Sequence, residues 1–260
     1  MTLRQGVSRA RVTAWTHVAR ADARILKRDL FAFVVLVAMP FVVMAFFSPL
    51  LDNYQAPRAS AVEVVQGQQA VLGITSVFGM FVVGFVGFAY YREFEWGTWR
   101  RLRTTVGRLQ LLVGKSLVPL IVCAMQQMLL LLAGHLFLTD RSIDLPLSLV
   151  VAVAYGAALT ALGTLVVTVT RTLEQQNAMA QLGALVLGGI GGGLVPLSAL
   201  APWLQALAPA SPTYWALRGY VGAAESDAAS ALSSAAVLLL LALPCGMFAW
   251  HRLPELDRRA

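Results

Sequence analysis

Charged and aromatic side chains are concentrated in one connector of this chain, residues 90–103, which reads YYREFEWGTWRRLR. Beyond its two tyrosines the connector holds two carboxylates, four arginines and three ring side chains, and apolar runs flank it. Aromatic rings can anchor in a pocket of a partner protein, while arginines steer and orient the partner. We therefore interpret the connector as a docking site. The alternative, an ordinary positively charged loop, would explain the arginines but not exposed rings among them.

The predicted docking set covers almost all of this stretch. We expect Phe94, Trp96 and Trp99 to be exposed anchors, and Glu93 and Glu95 to precede the basic residues because the positive N-terminus of a helix favours carboxylates. The full set is Arg92, Glu93, Phe94, Glu95, Trp96, Gly97, Thr98, Trp99, Arg100, Arg101 and Arg103.

A second set of candidate residues consists of amides and hydroxyls inside apolar runs. Such side chains could line a pathway for an amphipathic solute, or they could form hydrogen bonds between packed helices. For each residue taken singly the second alternative is favoured. The candidate pathway residues are Gln126, Gln127, Thr160, Thr164, Asn177 and Gln181.

The composition shows which solvent these residues face. Of the 260 residues, 58% are hydrophobic and only 13% are charged, whereas soluble domains carry roughly 25% charged residues. A chain so poor in charge must face lipid. The net charge of +7 is better explained by basic cytoplasmic loops than by nucleic-acid binding. Cys123 and Cys245 lie in apolar runs and are interpreted as packed side chains.

The apolar runs predict an all-α membrane protein with six transmembrane helices, since a span needs about 20 mostly apolar residues. We divide the chain into an N-terminal arm, 1–29, a transmembrane domain, 30–250, and a tail, 251–260. The predicted spans are 30–50, 69–91, 111–138, 146–169, 177–195 and 231–250. With both termini on one side, that side carries 17 of the 20 basic residues, which predicts cytoplasmic termini.

Two further segments are expected at the membrane surfaces. In residues 11–29, apolar side chains recur at helical spacing with Arg and Lys on the other face, which predicts an amphipathic helix in the headgroup plane. Between spans five and six, Pro196, Pro202, Pro209 and Pro212 interrupt an apolar segment, which predicts two short helices that re-enter the outer leaflet. The glycine-rich stretch 188–193 predicts a bend at the end of span five.

Several functions are disfavoured by what these runs lack. The predicted spans carry almost no charged residues, which argues against an ion-coupled secondary transporter. No phosphate-binding loop, catalytic Ser-His-Asp set or metal-ligand spacing occurs in the sequence. We expect no enzyme activity in the chain itself and no directly bound cofactor or metal.

Residues 92–115, REFEWGTWRRLRTTVGRLQLLVGK, resemble the cytoplasmic signature of ABC-2-type exporter permeases. Matching places are filled by Arg92, Glu93, Glu95, Gly97, Thr98, Arg108, Gly114 and Lys115. The chain departs from the family's usual pattern at Phe94, Arg100 and Thr105. The amphipathic arm, the six-span layout and the proline-rich segment also resemble the family.

This resemblance implies a coupling helix in the connector, seated in a groove on a separate ATPase subunit that binds ATP and Mg. It implies a second permease subunit, identical or different, and a bacterial inner-membrane location. The implied function is outward movement of an amphipathic small molecule, antibiotic or lipid-like substrate. The alternatives are an ion-coupled secondary transporter and a non-transporting membrane scaffold or immunity protein.

Overall fold

A computed structural model describes residues 15–27, 34, 38–43, 46, 71–138 and 143–256. The described part is helical and contains no strand. Its helices, in chain order, are α1 (15–27), α2 (71–79), α3 (Val82–Glu95), α4 (Trp99–Thr105), α5 (Arg108–Leu138), α6 (Leu145–Val169), α7 (Leu173–Ile190), α8 (Pro202–Leu207), α9 (Pro212–Ala224) and α10 (Ala228–Leu256). A short stretch at 38–43 is also helical.

Four stretches in the described residues are long and apolar enough to cross a membrane. They are Val71–Glu95, Arg108–Leu136, Leu145–Val169 and Ala228–Pro254, and they correspond to predicted spans two, three, four and six. The multi-pass, all-helical prediction is thereby confirmed, with helix bounds that differ from the predicted spans by a few residues.

The other two predicted spans do not have this support. Most of span one, 30–50, lies outside the described residues. In place of span five, 177–195, the structure has α7, which begins earlier, at Leu173, and ends at Ile190. Its first turns carry Glu174 and a run of amides, so this helix is less apolar than the four spans. The six-span count therefore stays a prediction.

The second span is not one continuous helix. Helix α2 ends at residue 79, a turn occupies Met80 and Phe81, and α3 begins at Val82. At the turn the Met80 amide donates to the Val77 carbonyl at 3.0 Å, three residues back instead of four. The carbonyl of Ser76 therefore loses its usual helical partner. The apolar run predicted a single span over 69–91, without this interruption.

Helix α6 is the centre of the bundle and packs against α3, α5, α9 and α10. Four small residues recur every four positions along it and are all buried: Ala152, Gly156, Thr160 and Thr164. A Cβ at Gly156 would lie 3.3 Å from the carbonyl oxygen of Leu120. This ridge allows α5 and α6 to approach closely, as small residues do between membrane helices.

The N-terminal arm packs against the protein as well as presenting a basic face. Ala19 of α1 forms a small apolar cluster with Val118 and Val122 of α5. A Cβ at Gly114 would lie 2.8 Å from the Cβ of Val18, so glycine at this position is what permits the close approach. Ala21, beside the basic residue Arg20, is exposed.

The segment between α7 and α10 contains two short α-helices, as the prolines predicted. These are α8 and α9, each with proline in its first turn, accompanied by short 3-10 turns at Leu197–Ala199 and Ala208–Ala210. The glycine-rich bend is also present, since α7 ends at Ile190 and Gly192 has a φ of 84°. Re-entry of these helices into the membrane stays a prediction.

Candidate functional site

The connector after span two begins with a tight turn at Gly97, just beyond the end of helix α3. Helix α3 ends at Glu95, and Gly97 follows with a φ of 64°, the left-handed conformation that glycine adopts without strain. The Thr98 amide donates to the Glu93 carbonyl at 3.0 Å and the Gly97 amide to the Phe94 carbonyl at 3.1 Å. This pair of bonds is a Schellman motif. It turns the chain from α3 into α4.

The same turn places Thr98 against the side chain of Glu93. The Thr98 hydroxyl donates to Glu93 Oε2 in a short hydrogen bond. It leaves the other carboxylate oxygen, Oε1, to accept from Lys115 Nζ at 2.7 Å. Gly97 and Thr98 thus have different roles: Gly97 makes the turn, and Thr98 orients the Glu93 carboxylate.

Four charged side chains meet beside this turn, and we call them the charge cluster: Asp22, Arg92, Glu93 and Lys115. Asp22 Oδ1 accepts from Lys115 Nζ at 2.9 Å and from the Arg92 guanidinium at 3.0 Å. Lys115 also donates to the Ala89 carbonyl at 3.3 Å. The cluster joins three elements: α1 through Asp22, α3 through Arg92 and Glu93, and α5 through Lys115.

The charge cluster is buried and contains two positive and two negative groups. Lys115 and Asp22 are only 1% and 4% exposed. Burial raises the pKa of the Asp22 carboxyl, and its cationic neighbours Lys115 and Arg92 offset this only in part. Buried ion pairs gain little net stability because desolvation opposes their attraction. Their consequence here is positional: each charge needs its partners, so the three elements are held in one arrangement.

Of the four members, Arg92 and Glu93 were predicted as docking residues, Lys115 was noted only as a match to the family signature, and Asp22 was not predicted at all. A signal for Asp22 was present, since it lies four residues after Val18 on the otherwise apolar face of α1. A single acid on the buried face of a basic helix indicates a cation opposite. The match of Lys115 to the family signature is explained by this contact.

The three aromatic side chains predicted as exposed anchors have different environments. Trp99 is fully buried, and its ring lies 5.0 Å from that of Phe94 and 6.0 Å from that of Tyr90. Phe94 is half-buried against the same core. Only Trp96 is largely exposed, at 58%. The expectation of three exposed anchors was therefore wrong for Trp99, because the chain turns at Gly97 and α4 folds its first residue back onto α3.

The predicted role of the carboxylates at a helix start was also wrong. Glu93 and Glu95 lie in the last turn of α3, and α4 begins at Trp99 with no acidic residue in its first turn. The connector, in which one coupling helix was expected, contains the end of α3 and the separate helix α4, with a turn between them. The Glu93 carboxylate instead accepts hydrogen bonds from Lys115 and Thr98.

What remains for a partner is a smaller surface, which we call the exposed face: Glu95, Trp96, Arg100 and Arg101, all exposed. The Arg92 guanidinium lies over the Trp96 ring, 5.5 Å from its centroid. This cation–π contact orients the ring from the side of the charge cluster. Arg103, the remaining arginine of the predicted set, is half-buried.

The amides predicted to line a pathway meet the interrupted second span. Gln127 Nε2 donates to the Thr75 carbonyl at 3.1 Å, and Gln126 Nε2 to the Phe78 carbonyl at 3.4 Å. Tyr155 donates to the Ser76 carbonyl at 2.6 Å, the one left without its helical partner. These contacts match the alternative of hydrogen bonds between helices. They satisfy backbone groups that lipid could not.

The remaining pathway candidates divide into two groups. Thr160 and Thr164 are nearly buried and donate to carbonyls of their own helix, at 3.0 Å and 2.8 Å. Asn177 and Gln181 of α7, by contrast, line a cavity that also reaches Asp22 and Arg92. A pathway role for any of the six candidates stays a prediction.

Comparison with known proteins agrees with the signature in the connector. The profile of the ABC-2 type transporter family matches residues 13–224, which include α1, the charge cluster, the exposed face and α9. No curated protein matches the chain significantly. Because the family match spans most of the chain and the described part contains four helices able to cross a membrane, the chain belongs to the ABC-2 type transporter family and is a multi-pass membrane permease of an ABC transporter.

Proposed function

We propose that this chain is the permease subunit of an ATP-driven exporter, and that a separate ATPase subunit docks on the exposed face. The observation that carries the proposal is that the connector has some side chains fixed by internal contacts and others that face solvent. Glu95, Trp96, Arg100 and Arg101 are exposed, while the residues beside them are fixed by internal contacts. An aromatic ring with neighbouring arginines on a rigid support suits a protein partner.

The supporting contacts suggest how motion at the exposed face would reach the spans. Displacement of α4 would act on α3 through the packing of Trp99 on Tyr90 and Phe94. The charge cluster would carry the same displacement to α1 and α5, because Asp22 and Lys115 bond to each other and to the end of α3. The arm and two spans would therefore move together. Elements that are packed and hydrogen-bonded can transmit a displacement without a continuous helix.

The partner would supply the nucleotide chemistry. ATP and Mg are assigned to the ATPase subunit, and the permease itself is proposed to have no enzyme activity. Two permease subunits, identical or different, would form the path for an amphipathic small molecule, antibiotic or lipid-like substrate, moved outward. The proposed location is a bacterial inner membrane, with both termini cytoplasmic as the basic residues suggest.

Reconstitution tests this proposal most simply. The chain would be placed in vesicles alone and with a candidate ABC ATPase subunit, and a set of labelled amphiphiles would be screened for ATP-dependent movement. We expect movement only when chain, ATPase and hydrolysable ATP are all present, and no specific nucleotide photolabelling of the chain alone. Transport driven by an ion gradient without the ATPase would instead support a secondary transporter.

A further inference from the structure

A cavity of about 270 Å³ lies between α1, α3, α5 and α7, beside the charge cluster. Its apolar wall includes Phe81, Phe85 and Phe88, which recur along one face of the second span, together with Leu26 of α1. Arg92, one turn beyond Phe88, and Asp22 line the same cavity. Since α3 ends at Glu95, the charged end of the cavity is near the point where the span leaves the membrane.

Two polar atoms at this end are buried without a hydrogen-bond partner among the described residues. They are Asp22 Oδ2 and Arg92 Nε. The other oxygen of Asp22, Oδ1, accepts from both Lys115 and Arg92. Buried polar groups are nearly always paired. A carboxylate oxygen needs a donor and a guanidinium N–H needs an acceptor, so a ligand that satisfies both must offer a donor and an acceptor close together.

We propose that this cavity binds an amphiphile whose head is a primary ammonium linked to a phosphate, as in a phosphoethanolamine lipid. The ammonium donates to Asp22 Oδ2, the phosphate accepts from Arg92 Nε, and the apolar tail lies along the phenylalanine wall. A zwitterionic head fits because the charge cluster has two positive and two negative members. An anionic head would add an unbalanced charge to a buried site. Lipid binding in this cavity does not depend on the docking of an ATPase. If the binding test fails, the proposed function still stands.

Gly84 offers a substitution that fills the cavity without touching the charges. It lines the cavity, and a Cβ there would meet nothing closer than 3.8 Å, at Ala180 and Asn177. Gly84→Leu should therefore occupy the space of the tail. Gly183→Leu is the matched control, because Gly183 is also helical, does not line the cavity and has no neighbour within 4 Å of an added Cβ.

The test measures binding of short-chain phosphatidylethanolamine to the purified full-length chain by calorimetry, with phosphatidylcholine of the same chain length as comparison. The choline head keeps the phosphate and the positive charge but has no N–H donor. We expect phosphatidylethanolamine to bind about tenfold or more tightly than phosphatidylcholine. Gly84→Leu should abolish this preference, and Gly183→Leu should keep it.

Equal binding of the two lipids by the unaltered chain would overturn the proposal, whether or not the variants fold. So would an unchanged preference in a folded Gly84→Leu chain. A second arm separates the two sources of such a ligand, using vesicles that contain chain and ATPase. Phosphatidylethanolamine that changes leaflet with ATP hydrolysis is cargo, whereas phosphatidylethanolamine that stays bound through turnover is a resident membrane lipid. Either result supports the site.

Discussion

The connector after span two contains the same kinds of residues in two opposite environments. We call the residues held by internal contacts its buried half and the solvent-facing residues its exposed half, although the two sets alternate along the chain. Arg92, Glu93 and Trp99 are held inside the molecule by an ion pair, a threonine hydroxyl and neighbouring rings. Trp96 and Arg101, a few residues away, are exposed. Each half contains a tryptophan and at least one arginine. What separates them is whether the chain itself supplies the partner.

This difference explains the family signature in physical terms. Most of the matching positions serve internal structure: Gly97 makes the turn, Thr98 and Lys115 bond to Glu93, and Gly114 admits the arm. Two of the three departures from the usual pattern, Arg100 and Thr105, are exposed. A structure common to the family can therefore present a surface that varies with the ATPase it meets.

The largest effect on stability is expected from Lys115. Lys115→Met would leave Asp22 and Glu93 as buried carboxylates without their shared cation, at a cost of about 3–5 kcal/mol. Thermal unfolding of the purified chain should show a large decrease in melting temperature or a loss of folded protein. Arg101→Met, which removes an exposed charge, should change stability by less than about 0.5 kcal/mol. Equal stability of the two variants would contradict the distinction between the halves.

The two tryptophans provide a comparison at constant residue type. Trp99→Ala should destabilise the chain by about 3–5 kcal/mol, because it removes a fully buried ring. Trp96→Ala should have little effect on unfolding, since most of that ring already faces solvent. Denaturant unfolding of both variants checks the pair. A large loss of stability in Trp96→Ala would show that its cation–π contact with Arg92 is a structural support.

A smaller effect is expected at the joint between the halves. Gly97→Ala places a Cβ on a residue with a φ of 64°, which costs about 1–2 kcal/mol. An added Cβ there meets no atom within 4 Å, so the cost is conformational and not steric. Gly183→Ala, in the middle of helix α7, should be neutral or slightly stabilising. Measured melting temperatures that fall equally in both variants would rule out a special role for the turn.

The spans were the most predictable part of the molecule. The long apolar runs predicted the bounds of four helices to within a few residues. A run of that length in lipid must be helical, because a helix satisfies all of its backbone hydrogen bonds internally. The interruption at Met80 and Phe81 was not predictable in this way. It depends on donors from other helices, such as Gln127 and Tyr155, and no local pattern records them.

The site was predicted in place but not in detail. Residue types and the family signature located the connector, yet they could not distinguish Trp96 from Trp99, since an anchor and a core ring have the same chemistry. The distinction arises from the turn at Gly97, which reverses the direction of the chain. Asp22 was predictable in principle from its position on the buried face of α1, and Lys115 from the need of that acid for a cation.

We propose that the exposed half of the connector binds the ATPase while the buried half maintains the fold. Co-purification of the ATPase with the membrane-extracted chain tests it most directly, comparing Trp96→Ala with the unaltered protein and with Gly183→Ala as a neutral control. We predict normal folded yield for Trp96→Ala, with ATPase affinity about tenfold to a hundredfold weaker because an aromatic anchor is lost. Full ATPase binding and full ATP-dependent transport by Trp96→Ala would contradict the account.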